Sequence, residues 1–240
     1  MILAMHLSAA HRWFIAALLA ISGHIPLLQA EESQTQTFQE TIAVLHMLYG
    51  SETRANHRYE AYAKTAIEEE HRDIAHMFKA IAASEAVHAR NFKRILTDLG
   101  ESVPQVDLSS VKSATTENNL KYASEIELAE IDVDYPRYIH RISPESHQET
   151  LKYINYAWET ERQHRELIKE TLSGTGIFFG VLLEQFKDKH ERYYVHQHCG
   201  ATVSELPLDE CPICHKPLDN YREIHALKKE HNKKSTPSPD

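Results

Sequence analysis

From Phe38 to Leu99 apolar residues return every three or four positions, as Phe38, Ile42, Leu45 and Leu48 and again as Ile74, Phe78 and Ile81. That spacing lays one apolar stripe along a helix of about 3.6 residues per turn and predicts two long helices. The break between them falls near the polar run Glu68-Glu69-Glu70-His71. Gly100 and Pro104 end the second helix, and the chain to about Glu117 carries few helix signals, which suggests a crossover connection. The pattern resumes from Asn119 to about Ile142, stops at Ser143-Pro144-Glu145, a good cap and first turn, and runs on to Leu172. Four helices result. Gly174, Gly176 and Gly180 then loosen the chain before Tyr193 and Tyr194 lead into a segment that holds all the cysteines.

Ahead of the first helix, Trp13 to Ile21 reads WFIAALLAI, preceded by His11 and Arg12 and followed by Gly23, Pro26 and Leu28-Gln29-Ala30. That is the layout of a secretory signal peptide, too short for the roughly 20 residues of a membrane span. Cleavage after Ala30 is expected, with export to the periplasm. The bulky Leu28 near that point keeps an uncleaved N-terminal membrane anchor as the alternative. A single Arg12 excludes a twin-arginine signal.

Composition narrows the chemistry. The 240 residues are 42% hydrophobic and 25% charged, enough to bury a real core. Seven Gly and nine Pro are too few turn formers for an all-β chain of this length. A net charge of -9 argues against a nucleic-acid partner. Seventeen His point instead toward metal. The expected organisation is a leader at 1–30, a helical domain at 37–173, a connection at 174–192, a small metal module at 193–222 and a polar tail at 223–240, the chain from Lys228 onward being disordered.

Glu85-x-x-His88 and Glu161-x-x-His164 each place a carboxylate and an imidazole on one helix face. Among so many Glu and His the spacing alone carries little, and Glu68-x-x-His71 in the presumed turn is a third copy. An internal repeat carries more. Glu52 precedes Glu85 by 33 residues and Glu127 precedes Glu161 by 34, and the midpoints fall on the two turns inferred above. Each hairpin therefore climbs about 25 Å and returns as far, which sets its two acids side by side. Two such hairpins bring Glu52, Glu85, His88, Glu127, Glu161 and His164 to one point of a core. Carboxylates crowded in a dry interior need cations, and two divalent metals would supply them; oxygen ligands with some imidazole suit iron or manganese. Solvated acids and satisfied histidines on amphipathic faces are the plain alternative. Glu130, three residues past Glu127, adds a fifth carboxylate from the third helix.

The stretches GSETRANHRY (50–59), IAHMFKAIAASEAVHA (74–89), ELAEIDVDYP (127–136) and AWETERQH (157–164) resemble rubrerythrin and fall in order along the four helices. The resemblance implies an all-α, ferritin-like four-helix bundle with two iron ions. It also implies that Glu130 and His88 trade places on one iron as its oxidation state changes, and that Tyr59 and Tyr135 are pocket tyrosines. Tyr59 lies seven residues after Glu52, two turns on and so on the same face.

His196-x-x-Cys199-Gly200 and Cys211-Pro212-Ile213-Cys214 form two knuckles around a four-ligand site. The segment resembles the rubredoxin-like module that ends rubrerythrins, with His196 where that family carries Cys and His215 where it carries Gly. His198 is a competing ligand beside Cys199. Three thiolates and an imidazole hold either iron or structural zinc. The resemblance implies a di-iron peroxidase: hydrogen peroxide or dioxygen as oxidant, an unidentified electron donor, electrons relayed through the module, and a homodimer. Two other functions stay open. One is iron handling by a bundle with a zinc strut, and the other is a metal-free interaction bundle.

Overall fold

A computed structural model describes residues 37–175 and 192–226. The expected leader, most of the 174–192 connection and the tail beyond 226 lie outside the described residues. Helix α1 spans Gln39–Glu68 and α2 spans Arg72–Asp98. The chain reverses between them through Glu70, held at φ 67 in the left-handed region. These two helices form the first hairpin, and the break sits where the acidic run predicts it.

The helix expected from Asn119 to Ile142 is present, with a π-helical bulge inside it. It runs as α3 over Thr116–Ala129, a π-helical turn over Glu130–Asp134 and α4 over Tyr135–Ile142. Thr115 caps α3, its hydroxyl accepting from Asn118 N at 3.4 Å. Within the π turn the Tyr135 amide reaches back five residues to Glu130 O. The Trp158 indole donates to Ile131 O at 2.9 Å, so a carbonyl of the loosened turn finds a partner on the next helix.

Ser143-Pro144-Glu145 does not cap the last helix. It is a short 3-10 turn; Ser146 turns left-handed at φ 53, and α5 runs over Gln148–Thr175. His147 Nδ1 accepts the Thr150 amide at 3.2 Å in the capping place. Glu145 serves a different helix. Its carboxylate accepts the Glu40 and Thr41 amides at 2.9 and 2.8 Å, closing the open first turn of α1 from the other hairpin.

Val44, Leu45, Leu48, Phe92, Ile95 and Ile154 fill one end of the bundle, and Tyr59, Tyr62, Phe78, Ile81 and Leu120 fill the other. Burying each large side chain contributes about 1.5–3 kcal/mol. Along α1, Glu52 falls between Leu48 and Tyr59, so the polar layer lies between two apolar ones.

Beyond the helices stand three short antiparallel strands, β1 (Tyr193–His196), β2 (Thr202–Val203) and β3 (Tyr221–Ile224), in the order β2-β1-β3. Tyr194 faces Val203 on one side of β1, and His196 faces Tyr221 on the other. This ribbon rests on α2 and α5. His76 of α2 is hydrogen bonded to Ile224 O and meets the Tyr193 ring edge to face at 5.0 Å. Among the described residues no helix is long and apolar enough to cross a membrane.

Candidate metal centres

Four helices deliver six ligand-type side chains to the middle layer. Glu52 comes from α1, Glu85 and His88 from α2, Glu127 from α3, and Glu161 and His164 from α5. All are at most 4% exposed. They fall into two quartets whose ligand atoms lie within 4.8 Å of one another: Glu52, Glu85, His88, Glu161 and Glu85, Glu127, Glu161, His164. Glu85 and Glu161 belong to both. The pseudo-symmetry of the repeat appears here as chemistry, with two acids shared between the quartets and one acid and one imidazole completing each.

Both imidazoles turn Nδ1 inward. His88 Nδ1 lies 3.0 Å from Glu85 Oε2, 3.4 Å from Glu161 Oε1 and 3.8 Å from Glu52 Oε2. His164 Nδ1 lies 2.8 Å from Glu161 Oε2 and 3.4 Å from Glu85 Oε1. The outward nitrogens differ. His164 Nε2 has the Thr202 hydroxyl at 3.4 Å, whereas His88 Nε2 is buried without a partner against Gly200.

Both expected tyrosines enter the layer. Tyr135 donates to Glu52 Oε1 at 2.7 Å and stands 3.4 Å from Glu161 Oε1, and Tyr59 donates to Glu127 Oε1. Glu130 stays outside both quartets, half-buried on the π turn. The crowding shows in the acids. Burial, with the charges of Glu85 and Glu161 adding, pushes the Glu52 carboxyl up to about 8 against its His88 hydrogen bond. Burial and the same two neighbours raise Glu127 well above the carboxylate range, and burial with Glu161, Glu127, Glu52 and Glu85 does so for Glu130. Burial opposes a charged Glu161, yet His164 and His88 outweigh it and hold that carboxyl low. Burial likewise disfavours charge on His164, but Glu85 and Glu161 raise it to about 10.

Such a cluster suits cations. Glu127 Oε2 is buried with no hydrogen-bond partner, an acceptor aimed into the layer that a metal would satisfy. Hard oxygen donors with two imidazoles fit iron.

The second centre is the ribbon. His196, Cys199, Cys211 and Cys214 are all buried, and their ligand atoms lie within 4.8 Å of one another. His196 Nδ1 is 3.4 Å from Cys199 Sγ and 3.6 Å from Cys214 Sγ, and Cys199 and Cys211 Sγ are 3.6 Å apart. No disulfide joins them. Tyr221 donates to Cys211 Sγ at 3.5 Å and meets the His196 ring edge-on. Hydrogen bonds from Cys199 and Cys214 lead the causes that hold the Cys211 thiol far below its ordinary range. The competing His198 points away, with Nε2 3.4 Å from the Tyr153 hydroxyl. His215 takes the left-handed conformation expected of glycine, φ 53, and its ring bonds Glu210 at 2.6 Å.

Several residues that the sequence does not single out surround these centres. Ser84 and Asn91 share the His88 face of α2 at helical spacing, and Gln163 of α5 accepts the Thr202 amide at 2.9 Å. Their only sequence signal is that spacing from the ligands.

A rubrerythrin family model matches residues 44–172. Rubrerythrin-2 of Clostridium acetobutylicum is 30% identical over 185 residues, covering 76% of this chain and 95% of its own length. The mixed-valence structure of nigerythrin superposes with a TM-score of 0.64 at 22% identity, over 76% of this chain and 86% of that one. A Desulfovibrio desulfuricans bacterioferritin, described with its di-iron site in different catalytic states, superposes at 0.58 with 19% identity over 63% and 88% of the two chains. The fold is therefore ferritin-like, the buried carboxylate and histidine layer is a di-iron site, and the ribbon is a modified rubredoxin-like module for one iron or zinc. With half the chain inside the family model and a 30% identical relative matched over 95% of its own length, this protein belongs to the rubrerythrin family.

Proposed function

We propose that the protein reduces hydrogen peroxide to water, with electrons entering through the ribbon. The observation that carries this reading is the pair of phenols, Tyr135 and Tyr59, each donating to a carboxylate inside the closed polar layer. Reduction of one peroxide to two waters consumes two electrons and two protons. Two irons held by Glu52, Glu85, His88, Glu127, Glu161 and His164 would supply the electrons. The chain's own part is to hold protons where oxygen leaves. Burial, with nearby acids adding, raises both phenols well above their ordinary range, so both keep their hydrogens at neutral pH. The apolar layers above and below exclude bulk water.

An outside one-electron donor, a homodimer and export to the periplasm belong to the same proposal. Supporting them are the ribbon's four-ligand site, the resemblance, and the apolar run at Trp13 to Ile21.

His196 favours a second reading, in which the bundle oxidises or stores Fe(II) and the ribbon holds zinc as a strut. Anaerobically reduced protein given stoichiometric peroxide separates the two. Rapid oxidation followed by re-reduction through a coloured ribbon supports the peroxidase. A colourless ribbon, with oxidation by dioxygen alone, overturns it in favour of iron handling.

A further inference from the structure

We propose that Ser84 and Asn91, assisted by Arg90, are positioning residues that latch the ribbon's first knuckle onto the bundle, and that electron passage between the two centres depends on this latch. The transfer half of this proposal rests on the peroxidase reading; the latch itself does not.

Consecutive carbonyls of the knuckle, from Gln197 to Gly200, all face bundle side chains. Arg90 Nη2 donates to Gln197 O, Asn91 Nδ2 to His198 O at 2.8 Å, and Ser84 Oγ to Gly200 O at 2.7 Å. The Thr160 hydroxyl stands 3.4 Å from Cys199 O, though its nearer acceptor is Tyr156 O at 2.9 Å. Ser84 is fully buried and Asn91 is 9% exposed. A peptide carbonyl that leaves water needs a donor; the side-chain donors to Gln197 O and His198 O come from the bundle, while Gly200 O also accepts from the ribbon's own Thr202 hydroxyl at 3.0 Å. Ser84, His88 and Asn91 lie at i, i+4 and i+7 on α2, so the latch flanks a ligand of the bundle centre.

Gly200 shows how close the seat is. It adopts φ +90, and a Cβ there would overlap the His88 ring. Cys199 of the ribbon site is thus one residue from a van der Waals contact with His88 of the bundle site. The rest of the ribbon is anchored separately, through His76 on Ile224 O and Gln163 on the Thr202 amide, so loosening the knuckle need not release the module. Each passage oxidises one ribbon Fe(II) to Fe(III) and reduces the bundle centre by one electron. No proton moves at the knuckle.

The test uses the full chain, iron-loaded, as wild type, Ser84→Ala and Asn91→Asp. The aspartate has the shape of asparagine but no hydrogen to give His198 O. Expected in both variants are unchanged metal content, unchanged oxidation of the bundle by stoichiometric peroxide, amide exchange at residues 197–202 at least tenfold faster, and ribbon oxidation, read from its optical band, at least tenfold slower. Wild-type exchange and transfer in both variants overturn the proposal. A wild-type ribbon that never changes redox state defeats the peroxidase relay and the transfer half with it, while the exchange arm still decides the latch.

Discussion

Tyr135 holds Glu52 from inside the protein: its hydroxyl donates to Oε1 at 2.7 Å, with both residues at most 4% exposed. Tyr135→Phe keeps the ring's packing and removes only that donor. Iron per chain should stay the same, while peroxide turnover falls on the order of a hundredfold, the scale of a lost general acid. Undiminished turnover at full iron would remove the phenol from the proton supply.

The two quartets are not equivalent to six independent ligands. Because Glu85 and Glu161 belong to both, Glu85→Ala or Glu161→Ala should cost both bundle irons, whereas Glu52→Ala or Glu127→Ala should retain about one. Elemental analysis of the four variants, corrected for ribbon metal, decides it.

Removing metal should make stability fall as pH rises. Glu52 has its folded carboxyl raised from 4.5 to about 8, and His164 is raised from 6.5 to about 10. A raised folded value gives stability that is full below the unfolded value and is lost as pH climbs through the folded one. Glu161 is shifted the other way, and its contribution is already complete above 4.5. Chelated protein should therefore melt on the order of 5 °C lower at pH 8.5 than at pH 5.5, and iron-loaded protein should show a smaller drop. Equal slopes in calorimetry would mean that the acids are not in the layer.

Glu145 gives the opposite sign. Burial raises its carboxyl, but the hydrogen bonds from Thr41 and Glu40 outweigh that and set it below 4.5. The stabilisation is present above the unfolded value and is lost as pH falls through the folded one. Glu145→Gln should cost about 1 kcal/mol at pH 7, on the scale of a lost helix cap, and the difference from wild type should shrink in acid. Denaturant melts at pH 7 and pH 3.5 test both parts.

His196→Cys restores the fourth thiolate. The added negative charge should lower the potential of an iron-loaded ribbon by at least about 60 mV, a tenfold change for one electron. Redox titration of the ribbon band reads this. An unchanged potential would mean that His196 is not the ligand.

Much of the site was legible because helical spacing is rigid. Equal arms of 33 and 34 residues leave little freedom in where Glu52 meets Glu85 or Glu127 meets Glu161. The π turn was not legible, because one extra residue within a turn leaves the apolar pattern of Asn119 to Ile142 nearly intact; the capture of Ile131 O by Trp158 depends on a helix a further 16 residues on. Ser143 looked like a cap since its residue type is right, but Glu145 is drawn across to α1 and the helix start moves to His147. Ser84 and Asn91 gave no sign beyond their spacing from His88, because their partners are backbone carbonyls, which every residue has.

The acids common to both quartets, Glu85 and Glu161, sit on α2 and α5, one from each half of the repeat. During synthesis, therefore, neither binding pocket exists until Glu161 has been made, 76 residues after Glu85. An incomplete chain cannot capture iron in the bundle, and a chain threaded through a membrane before folding would have to acquire its iron on the far side.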